Sequence, residues 1–143
     1  MSLIRGAKIA LKATKPHRYR VHYDVLLEDK PIGEIELDHI AWRSGEAELK
    51  IEIPKAGLQN KGYGTDAVLT LLEHAFTKMN LNRVYLRVYA TNFPALRCYK
   101  KAGFKKEWRL QRKVAGGGEK VIYLMGITKE EFLTRPGENK KVV

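Results

Sequence analysis

The hydrophobic period of this chain changes at one place, and the change sits on a glycine-rich turn. Leu49-Lys50-Ile51-Glu52-Ile53-Pro54 alternates apolar with polar side chains, as a strand does. From Thr65 to Met79, apolar residues recur at helical spacing: Ala67, Val68, Leu71, Leu72, Ala75, Phe76 and Met79. Between the two stands Gln59-Asn60-Lys61-Gly62-Tyr63-Gly64-Thr65. Strand, glycine turn and helix in this order aim backbone N–H groups and the positive end of a helix at an anion, phosphate above all. Gly62 and Gly64 let the backbone approach a ligand closely and take positive φ. Lys61 adds charge. The spacing is not that of a Walker A loop, and Ala67 stands where a dinucleotide fingerprint needs its third glycine.

Before the turn, the pattern is that of strands. Ala7 to Lys12 is a short candidate, ended by Pro16. Tyr19, Val21, Tyr23, Val25 and Leu27 alternate with Arg18, Arg20, His22 and Asp24, a half-buried strand. Asp29-Lys30-Pro31 turns the chain. Ile32 to Trp42 and Glu46 to Ile53 follow, joined by a tight turn at Arg43-Ser44-Gly45, so the three form an antiparallel meander. After the first helix, Val84, Leu86 and Val88 predict a strand. Pro94 suits the first turn of a second helix, and Gly103 its C-terminal end. Lys105 to Val114 and Val121 to Ile127 read as a hairpin around Gly116-Gly117-Gly118. Residues 128–134 make one helical turn or two, and a polar tail starts at Arg135. The chain is thus an α+β fold: a twisted, mixed, mostly antiparallel sheet of about six or seven strands flanked by helices. Residues 1–134 form the domain and 135–143 the mobile tail.

A chain of 143 residues with 44% hydrophobic side chains supports one globular core. No apolar run reaches the ~18 residues of a membrane span. Lys8 and Lys12 interrupt any secretory signal. The single cysteine, Cys98, cannot form an internal disulfide, which fits a reducing, cytoplasmic setting. The four histidines have no metal-ligand spacing, and neither serine has a nucleophile-elbow context. The net charge of +11 attracts anions and argues mildly against small polycationic substrates, unless an acidic pocket is present.

The turn, with Gln59, Gly62 and Gly64, resembles the Gln/Arg-x-x-Gly-x-Gly/Ala signature of the GNAT N-acetyltransferase superfamily, which holds the coenzyme A pyrophosphate. Asn92, Ala95, Tyr99, Gly103 and Phe104 are similar to a second GNAT motif, on the helix after the fifth strand. Two motifs in the right order are more specific than either alone, and the resemblance runs from about Tyr19 to Ile127. One departure is plain. GNAT enzymes usually carry two helices between their first two strands, and only Ala13 to Arg18 is available here. The acceptor side is then open, walled by a second copy of the chain, or completed by another partner.

The resemblance implies direct transfer of an acetyl group from acetyl-CoA to a primary amine, on a small molecule or on a protein N-terminus or lysine. It implies that backbone from Gln59 and Asn60 through Lys61, Gly62, Tyr63 and Gly64 to Thr65 holds pyrophosphate, and that backbone at Ile51, Glu52 and Ile53 pairs with the pantetheine arm. Asn92 then bonds the cofactor or caps its helix. Tyr99 matches the acid that protonates the departing sulfur; the plainer role is a core aromatic. Glu48 matches a fourth-strand base, for which a carboxylate beside an apolar strand has a suitably raised pKa. The alternatives are a water chain, with Glu48 as a surface strand residue paired with lysine. Glu46 and Glu52 share its face by alternation and extend an acidic groove. Two other classes stay open. One is a non-catalytic acyl-CoA-binding module with a protein or RNA partner. The other is an RNA- or ribosome-binding protein, motivated by the net charge and the basic 105–113 strand, whose binding collapses with salt.

Overall fold

A computed structural model describes residues 3–54 and 61–135. Eight strands make one sheet: β1 Leu3–Arg5, β2 Ala10–Ala13, β3 Val21–Leu27, β4 Lys30–Ala41, β5 Glu46–Glu52, β6 Arg83–Tyr89, β7 Lys105–Lys113 and β8 Glu119–Thr128. The helices are α1 Tyr63–Thr77, α2 Phe93–Ala102 and α3 Lys129–Thr134. The strand order is β1-β2-β3-β4-β5-β6-β8-β7, antiparallel throughout except where β5 meets β6. The α+β class and the meander of β3, β4 and β5 match the sequence reading, and so does the β7–β8 hairpin.

The sheet has one strand more than expected, because the N-terminal candidate is a small hairpin. Gly6 N–H donates to the Ile9 carbonyl at 2.8 Å and folds β1 back on β2. The turn read at Asp29-Lys30-Pro31 sits earlier. Glu28 and Asp29 take φ of 50° and 69°, and Pro31 lies near the start of β4, where β3 is bulged and a missing N–H is tolerated. The tail beyond Arg135 lies outside the described residues.

Local chemistry sets the helix ends. Gly62 caps α1 at φ 85°, which a side chain would resist. Gly64 does not share this: it lies in the first turn of α1 without positive φ. Asn92 caps α2 through its side chain, Pro94 occupies the first turn, and Gly103 closes the helix at φ 106°. Thr128 and Glu131 form a reciprocal capping box on α3, at 3.0 and 3.1 Å.

Among the described residues, all three helices pack on one face of the sheet. Val25, Ile35, Leu37, Leu49, Val84 and Leu86 meet Val68, Leu71, Leu72 and Phe76 of α1, with Phe132 of α3 stacked 5.5 Å from Phe76. Each such side chain contributes roughly 1.5–3 kcal/mol on burial. The opposite face carries charged and aromatic side chains. Its left half pairs Arg20 with Glu36 at 2.7 Å, His22 with Glu34 at 2.6 Å and Lys50 with Asp38 at 3.3 Å. Its right half presents Tyr89, Trp108 and Leu110, all substantially exposed.

Candidate active site

The single parallel contact opens the sheet. β5 and β6 pair only at Glu46↔Arg83, Ala47↔Val84 and Glu48↔Tyr85. β5 then runs on to Glu52 beside β4, while β6 runs on to Tyr89 beside β8. Past Glu48 the two strands diverge, and among the described strands none pairs with the β6-facing edge of Leu49 to Glu52.

A cleft lies on each side of this gap. The first, of about 490 Å³, runs between the end of β5, the start of α1 and one side of α2. Ile51, Glu52, Ile53, Gly62, Gly64, Thr65, Asn92 and Tyr99 line it, which brings most of the expected cofactor residues together. Lys61 and Tyr63 stand beside it, in the turn and at the first helical residue, without lining it. Gln59 and Asn60 lie outside the described residues. A β-carbon on Gly64 would meet Cys98 Sγ at 3.7 Å and Ile53 Cδ1 at 3.8 Å, ordinary contacts. This glycine therefore answers no steric demand of the fold; it leaves the wall of the cleft bare.

The second cleft, of about 430 Å³, opens on the helix-free face. Glu48, Lys50, Arg87, Tyr89, Leu110 and Arg112 are among its walls. Both clefts share Ile51, Asn92 and Tyr99.

Glu48 is 4% exposed, a buried carboxylate. Arg87 Nε donates to its Oε2 at 2.9 Å and Nη2 to its Oε1 at 3.4 Å, and His39 Nδ1 stands 3.6 Å away. The sequence reading offered Glu48 a lysine partner; the structure gives it an arginine. The bond from Glu48 holds the guanidinium charge and pushes the Arg87 pKa up further. Tyr99 is buried at 8% exposure, with its ring edge on Phe104 at 5.9 Å. Burial, with a smaller push from Cys98, moves its hydroxyl up to about 12, so it keeps its proton at any working pH. Burial also raises the Cys98 thiol, which makes it a poor nucleophile. Asn92 Oδ1 accepts from Ala95 N–H at 3.3 Å, so the capping role is real, and the residue lines both clefts as well.

Sequence reasoning missed Arg87, Arg112, Arg97 and Lys101. The last two stand one turn apart on α2 and line the first cleft. The Tyr85-Arg87-Tyr89 alternation marks Arg87 as a strand residue. Nothing in it says that Glu48, thirty-nine positions away, is its partner.

A mixed sheet parted between two parallel strands, with a glycine-started helix at the gap, is the GNAT arrangement. The acetyltransferase (GNAT) domain family matches residues 3–105, and the chain belongs to that family. The chain is 30% identical over 105 residues to the spermidine N(1)-acetyltransferase of Vibrio cholerae, covering 73% of this chain and 60% of that protein. It is 28% identical over 105 residues to the uncharacterised N-acetyltransferase p20 of Bacillus licheniformis, covering 73% and 58%. The chain thus spans about three fifths of the length of these curated relatives. A crystal structure of the Vibrio cholerae spermidine N-acetyltransferase in complex with CoA and spermine superposes with a TM-score of 0.74 at 27% identity, over 82% of this chain and 70% of that one. No helix among the described residues is long and apolar enough to cross a membrane.

Proposed function

We propose that this chain transfers an acetyl group from acetyl-CoA directly to a primary amine, and that the preferred acceptor is a small polycation of the polyamine class. The observation that carries the reading is the meeting of the two clefts at Ile51, Asn92 and Tyr99. A thioester lying in the first cleft and an amine lying in the second come into contact only there. Holding both supplies much of the acceleration.

In this reading the diphosphate sits on the α1 N-terminus and the pantetheine arm lies along the end of β5, beside Ile51, Glu52 and Ile53. A β5 N–H polarises the thioester carbonyl. The amine gives a proton to Glu48, whose carboxylate has lone pairs beyond those used by Arg87. Its nitrogen then bonds to the carbonyl carbon and the C–S bond breaks; the Tyr99 hydroxyl gives its proton to the leaving sulfur and regains one from the nitrogen, which sheds its second proton as the amide forms.

The acceptor class rests on local charge and on what the relatives are called. The net charge of +11 argues against a polycation at long range. At contact range the helix-free face carries Glu34, Glu36, Asp38 and Glu48 on β4 and β5, each paired with a basic side chain, His22, Arg20, Lys50 and Arg87 in turn. Charges beyond about 8–10 Å are screened in physiological salt, so a polyamine nitrogen competes locally with those partners for the carboxylates. The test is release of CoA thiol with spermidine, spermine and lysine-bearing peptides. Turnover is expected with the polyamines at far lower concentration than with the peptides. Tight acetyl-CoA binding with no turnover on any amine would favour a non-catalytic acyl-CoA-binding module, a reading to which the helix-free acceptor side lends support.

A further inference from the structure

The N-terminal hairpin is tied to the start of α1 by one side chain. The Asp66 carboxylate, in the first turn of the helix, accepts from three consecutive backbone N–H groups: Ala7 at 3.0 Å, Lys8 at 2.7 Å and Ile9 at 3.0 Å. The loop lies so close that a β-carbon on Gly6 would collide with the Thr70 hydroxyl and stand 2.7 Å from Asp66 Oδ2. This clamp fixes where Lys8 leaves the backbone. Its ammonium donates to the Lys61 carbonyl at 3.1 Å and lies 3.0 Å from where a Gly62 β-carbon would be. Gly62 lines the first cleft. Among the described residues, the Lys61 carbonyl takes one of the three Lys8 ammonium donors, beside the glycine turn.

We propose that Lys8 is a cofactor-binding residue that contacts the diphosphate of coenzyme A, and that Asp66 is the positioning residue that sets it there. The inference rests on the acetyl-CoA reading of the first cleft. It brings the β1–β2 loop to the Gly62 side of the cleft that Arg97 and Lys101 of α2 also line. It also accounts for an acidic residue at the end of a helix that is to receive an anion: Asp66 is spent on the loop's N–H groups, and a cation is brought in with them.

Calorimetric titration with CoA and with 3′-dephospho-CoA tests it, on the wild type, Lys8→Gln, Lys8→Arg and Asp66→Asn. Lys8→Gln should weaken CoA about tenfold, as expected for loss of one charge-assisted bond, with the unliganded melting temperature unchanged. The same tenfold loss should appear with 3′-dephospho-CoA, which keeps the diphosphate. Lys8→Arg should restore most of the affinity. Asp66→Asn should weaken CoA too, and adding Lys8→Gln to it should cost little more. Wild-type affinity in Lys8→Gln overturns the inference, and a loss that vanishes with 3′-dephospho-CoA overturns the diphosphate assignment. Failure of the wild type itself to bind CoA would instead sink the acetyl-CoA reading and this inference with it.

Discussion

The two clefts that meet at Tyr99 are made of different materials. The first, where we place the cofactor, is largely backbone: a strand edge at Leu49 to Glu52 that no described strand pairs, a glycine cap at Gly62, and a bare helix wall at Gly64. The second, where we place the acceptor, is side chain on sheet: Glu48 against Arg87, Lys50 against Asp38, and Tyr89 and Leu110 on either side of Ile122. Backbone recognition suits a ligand that is the same in every member of a family. Side-chain recognition on a face without helices can be rewritten one residue at a time, which is where acceptors differ.

Substitutions on each side should separate these two roles. Gly64→Asp has the largest expected effect, a loss of acetyl-CoA affinity of about a thousandfold, because it adds bulk and negative charge where phosphate is to lie. Gly64→Ala should stay within about threefold, since its β-carbon meets only ordinary contacts. Equal calorimetric binding by the two variants would erase the distinction between a bare wall and a filled one. Next comes Glu48→Gln, which should lower kcat/KM for the amine by about 100-fold and leave the acetyl-CoA Kd unchanged. A shift in both constants would mean that the clefts are not separate. Arg87→Ala leaves Glu48, whose side chain is 6% exposed, without its guanidinium, and should lower stability to denaturant by about 1–3 kcal/mol.

The smallest effect concerns pH. Burial raises the Tyr99 hydroxyl to about 12, above its ordinary value of about 10. A pKa raised on folding gives stability that is complete below pH ~10 and lost as pH rises toward 12. Tyr99 ionisation should therefore leave no alkaline limb in the rate below about pH 11. Unfolding followed between pH 10 and 12 should show a loss of stability that Tyr99→Phe diminishes.

The contrast between clefts also explains what could be read in advance. Gly62, Asn92, Pro94, Tyr99 and Gly103 are punctuation or motif residues whose meaning lies within a few positions of themselves, and the structure places them as expected. The β5 edge that no described strand pairs required the resemblance, because the divergence of β5 and β6 depends on β6 continuing with β8 rather than β5. The Glu48–Arg87 pair and the Asp66 clamp on residues 7–9 join positions 39 and 57 to 59 apart, and no local pattern announces either. Of the two freedoms read for Gly64, close approach and positive φ, the structure uses only the space, since glycine in a motif does not say which of the two it serves. The N-terminal hairpin escaped for a similar reason: the turn after Gly6 is held in part by Asp66, a residue of α1 far along the chain.

The most direct test of two clefts converging on one tyrosine is a paired measurement on wild type and Tyr99→Phe: steady-state CoA release with spermidine, and the Kd for acetyl-CoA. The account predicts measurable turnover in the wild type, a kcat lower by about 10- to 100-fold in the variant, and an unchanged Kd. Equal turnover in both proteins would contradict it.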